Sequence, residues 1–204
     1  MSEFRIKEVE VGGVFNLDRY ENVRVAIRVV VNKPEDIGAV FDKLGVLVEQ
    51  TAKIQKVCRR WKDLAKNVEW KIGELRKRAK EELEEGKRAL EKARKEAEQL
   101  LKKLNLNLLP EDVRKKVEED PVNAFKLGIV STECLYIRDH EQYVRRAKQL
   151  EEEAAKLEEA LEKLRQLYSE MKAKLHEGKL AEAAEAAAKL WEAYETMAKP
   201  YIEW

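Results

Sequence analysis

The chain has 204 residues, and 40% of them are charged, but 41 lysines and arginines stand against 40 aspartates and glutamates, so the net charge is only +1. This balance excludes a polycation and an acidic tail protein, so any affinity for nucleic acid must come from local clustering of charge. The length is sufficient for one domain with an extension or for one elongated domain.

No run of 18 apolar residues occurs, and the N-terminus lacks the basic and hydrophobic regions of a signal peptide. We therefore expect no membrane partner and a cytoplasmic protein. The excess of Lys, Glu and Arg over Gln and Asn resembles the composition of hyperthermophile proteins.

The first 33 residues are the only stretch with the pattern of β-structure. Residues 23–31 place Val and Ile on one face and Arg24, Ala26 and Arg28 on the other. Two strands alone are marginal in water, so a following element must cover the apolar face. The simplest interpretation is a hairpin around residues 3–31.

Upstream of this strand the apolar residues change phase at Val9 and Val11. The change predicts a bulge or break before Gly12-Gly13, and the glycine pair itself predicts a turn.

A long helical pattern follows Pro34, with negative charge in its expected first turn. Its first apolar residues can cover the valine face of the hairpin. The pattern continues to Leu104, which predicts one helix or two, with breaks expected at Gly45 or near Thr51.

Residues 105–140 lack a single long period. Pro110-Glu111-Asp112 predicts a helix start, and Asp120-Pro121 predicts another short segment. Ser131-Thr132-Glu133 is predicted to cap the last long helix.

That helix has the most regular apolar spacing in the chain, an unbroken 4-3 repeat over residues 143–175. Such a repeat predicts a coiled-coil seam about 50 Å long. Two interpretations remain open, an antiparallel pairing within the chain and a zipper between chains, and the first places the acidic residues from Glu151 near Lys87 and Arg88. The predicted dimerisation or arm-packing residues are Leu150, Leu157, Leu161, Leu164, Met171 and Leu175.

Beyond the seam, residues 176–179 predict a helix C-cap and turn. An alanine-rich helix from residue 180 is expected to end at Pro200, leaving Tyr201 and Trp204 in a short tail. The sequence therefore predicts a predominantly helical α+β protein, with a small N-terminal antiparallel β-hairpin or sheet packed on helices, a long coiled-coil arm and a C-terminal helical hairpin.

Residue patterns typical of an enzyme do not occur. His140 and His176 are 36 positions apart without metal-ligand spacing, and Gly12-Gly13 lacks a phosphate-binding pattern. Cys58 and Cys134 are expected to be buried thiols. We expect no catalytic residue, no metal and no cofactor.

The strongest local signal is charge, because residues 53–80 contain eleven basic and three acidic residues. Projection at 100° per residue places Trp61 on the buried seam and Trp70 on the opposite face. An indole among cations suits stacking on bases beside phosphate contacts. Packing of Trp70 against another helix is an equally open interpretation.

Arg24 and Arg28 on the open sheet face add charge, and the segment after the glycine pair adds Phe15, Arg19 and Tyr20, although Phe15 and Tyr20 could also anchor a turn. The predicted nucleic-acid-binding residues are Phe15, Arg19, Tyr20, Arg24, Arg28, Lys53, Lys56, Arg59, Arg60, Lys66, Trp70 and Lys77.

Residues 12–25, Gly-Gly-x-x-Asn-Leu-Asp-x-Tyr-Glu-Asn-Val-Arg-Val, resemble the ThermoDBP-type single-stranded-DNA-binding proteins of archaea. The resemblance implies a non-OB binding domain with a basic and apolar cleft, sequence-independent binding of single strands in DNA replication and repair, and a homodimer formed through C-terminal helices. Gly178 and the helix after it depart from a plain zipper.

Two function hypotheses follow. The first is sequence-independent binding of single-stranded nucleic acid, most readily DNA, by an N-terminal domain over residues 1–142. Residues 143–204 then form the coiled-coil and helical-hairpin region, and the helix of residues 53–104 extends into the arm. The alternative is a structural or adaptor coiled-coil protein whose arm binds other proteins.

Overall fold

The computed structural model describes residues 8–18, 21–30, 37–130 and 134–202. By their contacts the residues form two compact units, unit 1 (Met1–Lys71 and Lys156–Trp204) and unit 2 (Ile72–Ala155). These units divide the chain differently from the predicted boundary after residue 142. In chain order the elements are β1 (Glu8–Asp18), β2 (Glu21–Val30), α1 (Ile37–Leu101), a 3-10 turn (Leu106–Leu108), α2 (Glu111–Glu119), α3 (Asn123–Lys126), α4 (Leu135–His176), α5 (Leu180–Ala193), a π-helical turn (Tyr194–Ala198) and α6 (Lys199–Ile202).

The two strands form the predicted antiparallel hairpin, with Glu8 opposite Val30 and an unbroken register as far as Asn16. Gly12 and Gly13 lie inside β1, so the predicted turn at this pair is wrong, and no bulge occurs between Glu8 and Gly12. The phase change after Ile6, from which the bulge was predicted, begins outside the described residues. Val9 and Val11 stand opposite Val29 and Ile27, so the apolar phase is continuous across the pair and glycine occupies ordinary strand positions. The irregularity in register comes later, between Asn16 and Asp18.

The start of α1 covers the apolar face of the hairpin, as predicted. Val11 and Ile27 pack against Leu44, Val48 and Ala52 of the helix. This burial supplies the packing against a helix that a two-stranded hairpin needs for stability.

Helix α1 runs for 65 residues without interruption, so the predicted breaks at Gly45 and Thr51 are wrong. The Thr51 hydroxyl donates to the Leu47 carbonyl at 2.7 Å and is thereby satisfied inside the helix. A single exposed glycine costs a helix only about 1 kcal/mol, which the packing of the remaining turns offsets.

Helices α1 and α4 are antiparallel within each unit. In unit 1 the Trp61 ring stacks on Tyr168, and in unit 2 the His140 Nδ1 lies 2.9 Å from the Gly86 carbonyl oxygen. The antiparallel pairing within the chain is thus confirmed, whereas formation of a homodimer stays a prediction.

The predicted register of this pairing is wrong. Glu151 lies 4.0 Å from Arg76, whereas Lys87 and Arg88 pair with glutamates of their own helix. Helix α4 begins at Leu135, before the predicted seam. Its first turns therefore lie against the part of α1 that was predicted to contact the acidic stretch.

The predicted seam of α4 is the buried face of that helix. Leu157, Leu161, Leu164 and Met171 are buried, and Leu150 and Leu175 are half-buried. The residues proposed for dimerisation or arm packing therefore pack within the chain.

Between the long helices, α2 and α3 begin near Pro110 and Asp120-Pro121 as predicted. They bury Val117, Ala124 and Phe125 in two small clusters of unit 2. The predicted cap at Ser131-Thr132-Glu133 lies outside the described residues.

The C-terminal hairpin turns at Gly178, whose φ of 74° confirms the predicted C-cap. Pro200 does not end the helical segment, contrary to prediction, because the chain continues through the π-helical turn into α6. There the Lys199 N–H bonds the Tyr194 carbonyl, five residues back. Pro200 follows this wider turn at the start of α6, where a missing N–H is tolerated.

Candidate nucleic-acid interface

Trp61 and Trp70 occupy opposite faces of α1 in unit 1. The rings of Trp61 and Tyr168 stack with centroids 4.4 Å apart and planes at 11°, which confirms Trp61 as a packing residue. Trp70 is 65% exposed. Of its two interpretations, packing against another helix is therefore excluded for the part of the chain that the structure describes.

Three exposed cations share the Trp70 face of α1. Arg59, Lys62 and Lys66 lie within about 80° of Trp70 around the helix and about 16 Å along it. Among the described residues none of the three has an ion-pair partner. We call Arg59, Lys62, Lys66 and Trp70 the Trp70 strip.

Other cations between residues 53 and 80 are partly neutralised. Lys53 contacts Glu49 at 2.7 Å, Arg78 pairs with Glu74, and Arg60 is half-buried. Lys77 lies in unit 2, 3.8 Å from Glu81. Exposed Asp63, about 20° around the helix from Trp70, offsets one of the three cations of the Trp70 strip, so the local charge of this face is about +2.

Lys53 and Lys56 belong to a second feature of unit 1, a cavity of about 320 Å³ between α1 and the C-terminal helices. The Lys56 ammonium lies 3.7 Å from the centroid of the Trp191 ring. The Trp191 Nε1–H donates to Glu195 at 3.1 Å. We call this feature the Trp191 cavity. Trp191 and Glu195 were not predicted as site residues, because an indole on the predicted buried face of a helix gives no signal of a cavity.

Of the hairpin residues predicted for the interface, the structure describes the side chain of Arg28 alone. The Arg28 guanidinium contacts Glu10, directly opposite on β1, at 2.8 Å. Phe15 and Arg24 lie in the strands, but their side chains are outside the described parts of the structure, as are Arg19 and Tyr20 altogether. Phe15 is paired with Val23 in the ladder rather than placed in a loop.

The titratable groups beside Trp61 are neutral near pH 7. Burial raises the pKa of the Tyr168 phenol, and burial also raises the pKa of the Cys58 thiol, against the opposing charge of Lys172. Cys58 is nevertheless exposed, so its predicted burial is wrong, whereas Cys134 is buried as predicted. The predicted burial failed at Cys58 because that position lies beside the seam of α1 rather than on it.

Near the Trp191 cavity, the hydrogen bond from Lys53 lowers the pKa of Glu49. The Glu49 carboxylate therefore stays ionised around neutral pH.

Within the described ranges, no cluster of three His, Cys, Asp or Glu side chains has the geometry of a metal site. Over the same ranges, no helix has both the length and the apolarity that a membrane span requires.

Comparisons with known proteins do not add to this geometry. No protein-family model, no curated protein and no solved structure matches the chain.

Proposed function

We propose that the protein binds single-stranded nucleic acid, DNA in the first instance, without reading its sequence. The observation that carries the proposal is Trp70, 65% exposed on α1 beside the cations Arg59, Lys62 and Lys66. An indole in water beside three unpaired charges adds nothing to the packing of the described chain.

The chemistry of a single strand matches both components of the Trp70 strip. Stacking of one base on an aromatic side chain contributes about 1–3 kcal/mol and tolerates every base, because each base has a π-face. The cations neutralise phosphates and release counterions, which adds affinity that falls with salt. A duplex hides its base faces, so the stacking component favours single strands.

The resemblance of residues 12–25 to ThermoDBP-type proteins supports the same class of ligand. The hairpin that contains those residues packs on the same helix and belongs to the same unit as the Trp70 strip.

An adaptor function is the competing proposal. It is favoured by the paired charges of α1, since Lys53, Arg76 and Arg78 all have carboxylate partners within the chain. Under this alternative Trp70 contacts another protein, and oligonucleotides bind at background level.

Fluorescence anisotropy with labelled oligo-dT of about 20 nucleotides tests the proposal on the intact chain. We expect saturable binding at low salt, with competition by unlabelled single strands of any sequence and much weaker competition by a duplex of equal length. Absence of binding at low salt, or a duplex that competes as well as a single strand, would contradict the proposal.

A further inference from the structure

The Trp191 cavity combines apolar walls with charged groups at its rim. Val57, Ala187, Ala188 and the Trp191 ring supply apolar surface, and Lys53 and Lys56 supply ammonium groups. Of its three other lining residues, Glu192 lies in α5, and Glu195 and Thr196 lie in the π-helical turn. Such turns are rare and occur frequently at functional sites. The π-helical turn is therefore a second observation, independent of the cavity, that points to a functional site at this position.

We propose that this cavity binds one nucleotide, with the base against Trp191 and its phosphate on Lys53 and Lys56. The inference rests on the proposed function, because it makes the cavity a second stacking position for the same strand. A planar ring fits an apolar cavity walled by an indole, and its volume of about 320 Å³ lies at the lower end of the range of small-ligand sites.

Both lysines make contacts that a phosphate can replace. Lys53 is held by Glu49 in an ion pair in which both side chains are largely exposed, and such pairs contribute little to stability. Lys56 lies over the indole in a cation–π contact, which a phosphate can replace with a stronger charge-assisted bond.

The two carboxylates of the cavity, Glu192 and Glu195, are compatible with a bound nucleotide. Glu195 accepts the Trp191 N–H and lies 3.7 Å from Lys199, so its charge is largely compensated. Glu192 provides an acceptor for an amino group on a base edge, which cytosine carries and thymine lacks. Oligodeoxycytidylate is therefore the better probe of the cavity.

The distance along α1 sets the length of strand that reaches both stacking positions. Fourteen residues separate Trp70 from Lys56, or about 21 Å along the helix. Arg59 lies between them, about 60° around the helix from Lys56. At about 3.4 Å per stacked nucleotide, the strand must contain roughly six nucleotides.

Filling the cavity tests the assignment. Ala188 lines the cavity and is exposed, so Ala188→Leu occupies the space without opening the core, and Ala181→Leu, exposed on the same helix outside the lining, is the matched control. With oligodeoxycytidylate of about 12 nucleotides we expect Ala188→Leu to weaken binding roughly 5- to 150-fold, the contribution of one stacked base, and Ala181→Leu to leave it unchanged. With about 4 nucleotides, too short to reach both positions, the loss should be at most about twofold.

Two further measurements make every outcome decisive. Lys56→Gln, which removes the charge but keeps a flexible polar side chain, should reproduce part of the loss with the longer strand. In a Trp61→Phe, Trp70→Phe, Trp204→Phe variant the remaining fluorescence of Trp191 should be quenched by that strand.

Strand binding by the wild type with no loss in Ala188→Leu and no quenching of Trp191 would overturn the cavity assignment and leave the proposed function intact. Quenching by deoxycytidine monophosphate without loss of strand affinity would assign the cavity to free nucleotides and also overturn it. Absence of strand binding by the wild type would instead contradict the proposed function.

Discussion

Trp61 and Trp70 lie nine residues apart on one helix and have opposite environments. Trp61 stacks on Tyr168 between α1 and α4, whereas Trp70 stands 65% exposed beside cations. The difference shows that the face of the helix, and not the residue type, decides whether an indole stabilises the fold or remains available to a ligand. Each of the following variants tests one face of α1 against the other.

Charge reversal of the exposed face should have the largest effect. We expect Arg59→Glu, Lys62→Glu, Lys66→Glu to weaken oligo-dT binding by at least about 100-fold, because attraction to phosphate becomes repulsion. The control is the matched reversal of Lys95, Lys102 and Lys103, exposed cations of unit 2.

Anisotropy titrations at one low salt concentration measure both charge-reversal variants. Equal binding by the two would show that net charge, and not the Trp70 strip, governs affinity. Background binding by the wild type and both variants would favour the adaptor function.

Removal of the packed indole should mainly affect stability. Trp61→Ala loses the stacking on Tyr168 and leaves a void, so we expect the free energy of unfolding to fall by about 2–4 kcal/mol. Urea unfolding followed by circular dichroism measures this change. An unfolding free energy within about 0.5 kcal/mol of the wild type, the range of ordinary surface substitutions, would contradict the packing role.

Removal of the exposed indole should mainly affect oligonucleotide binding and leave stability nearly unchanged. Trp70→Ala is expected to weaken oligo-dT binding by about 1–3 kcal/mol, the value of one stacked base, and to change stability by less than about 0.5 kcal/mol. Trp70→Phe keeps an aromatic ring and serves as the control in the same anisotropy titration. A destabilised Trp70→Ala with unchanged affinity would reverse the assignment of the two faces.

Glycines on the two faces of α1 should give the smallest effects, with opposite signs. A Cβ at Gly73 meets nothing within 4 Å, so Gly73→Ala should stabilise the protein by about 0.5–1 kcal/mol. A Cβ at Gly86 would lie 3.3 Å from the Tyr143 Cβ and 3.4 Å from His140 Nδ1, so Gly86→Ala should destabilise it. Urea midpoints compare the two, and equal stabilisation would show that α4 does not pack closely at Gly86.

Periodicity in the sequence was sufficient to predict which faces are buried. The direction of each side chain follows from its position along a strand or a helix. The alternation of Val and Ile in the hairpin and the 4-3 repeat of α4 therefore mark the buried faces without any knowledge of tertiary contacts. The register between α1 and α4 could not be read from charge, since the close approach at Gly86 and the early start of α4 at Leu135 are tertiary features.

The candidate site was predicted in part. Helical projection placed Trp70, Arg59 and Lys66 together, because all three lie on one helix. The count of charges between residues 53 and 80 could not show which cations are paired, since partners such as Glu151 are distant in sequence. The Trp191 cavity was missed for the same reason, because α1 and α5 meet only in the folded chain.

The central claim is that the Trp70 strip binds the phosphates and bases of a single strand, and the salt dependence of oligo-dT binding tests it most directly. The three cations of the strip should contribute about −2 to the slope of the logarithm of the association constant against the logarithm of salt concentration, at about −0.7 per phosphate contact for single strands. In Arg59→Glu, Lys62→Glu, Lys66→Glu the slope should therefore be shallower by about 2. A flat slope for the wild type, or the same slope in both proteins, would contradict the account.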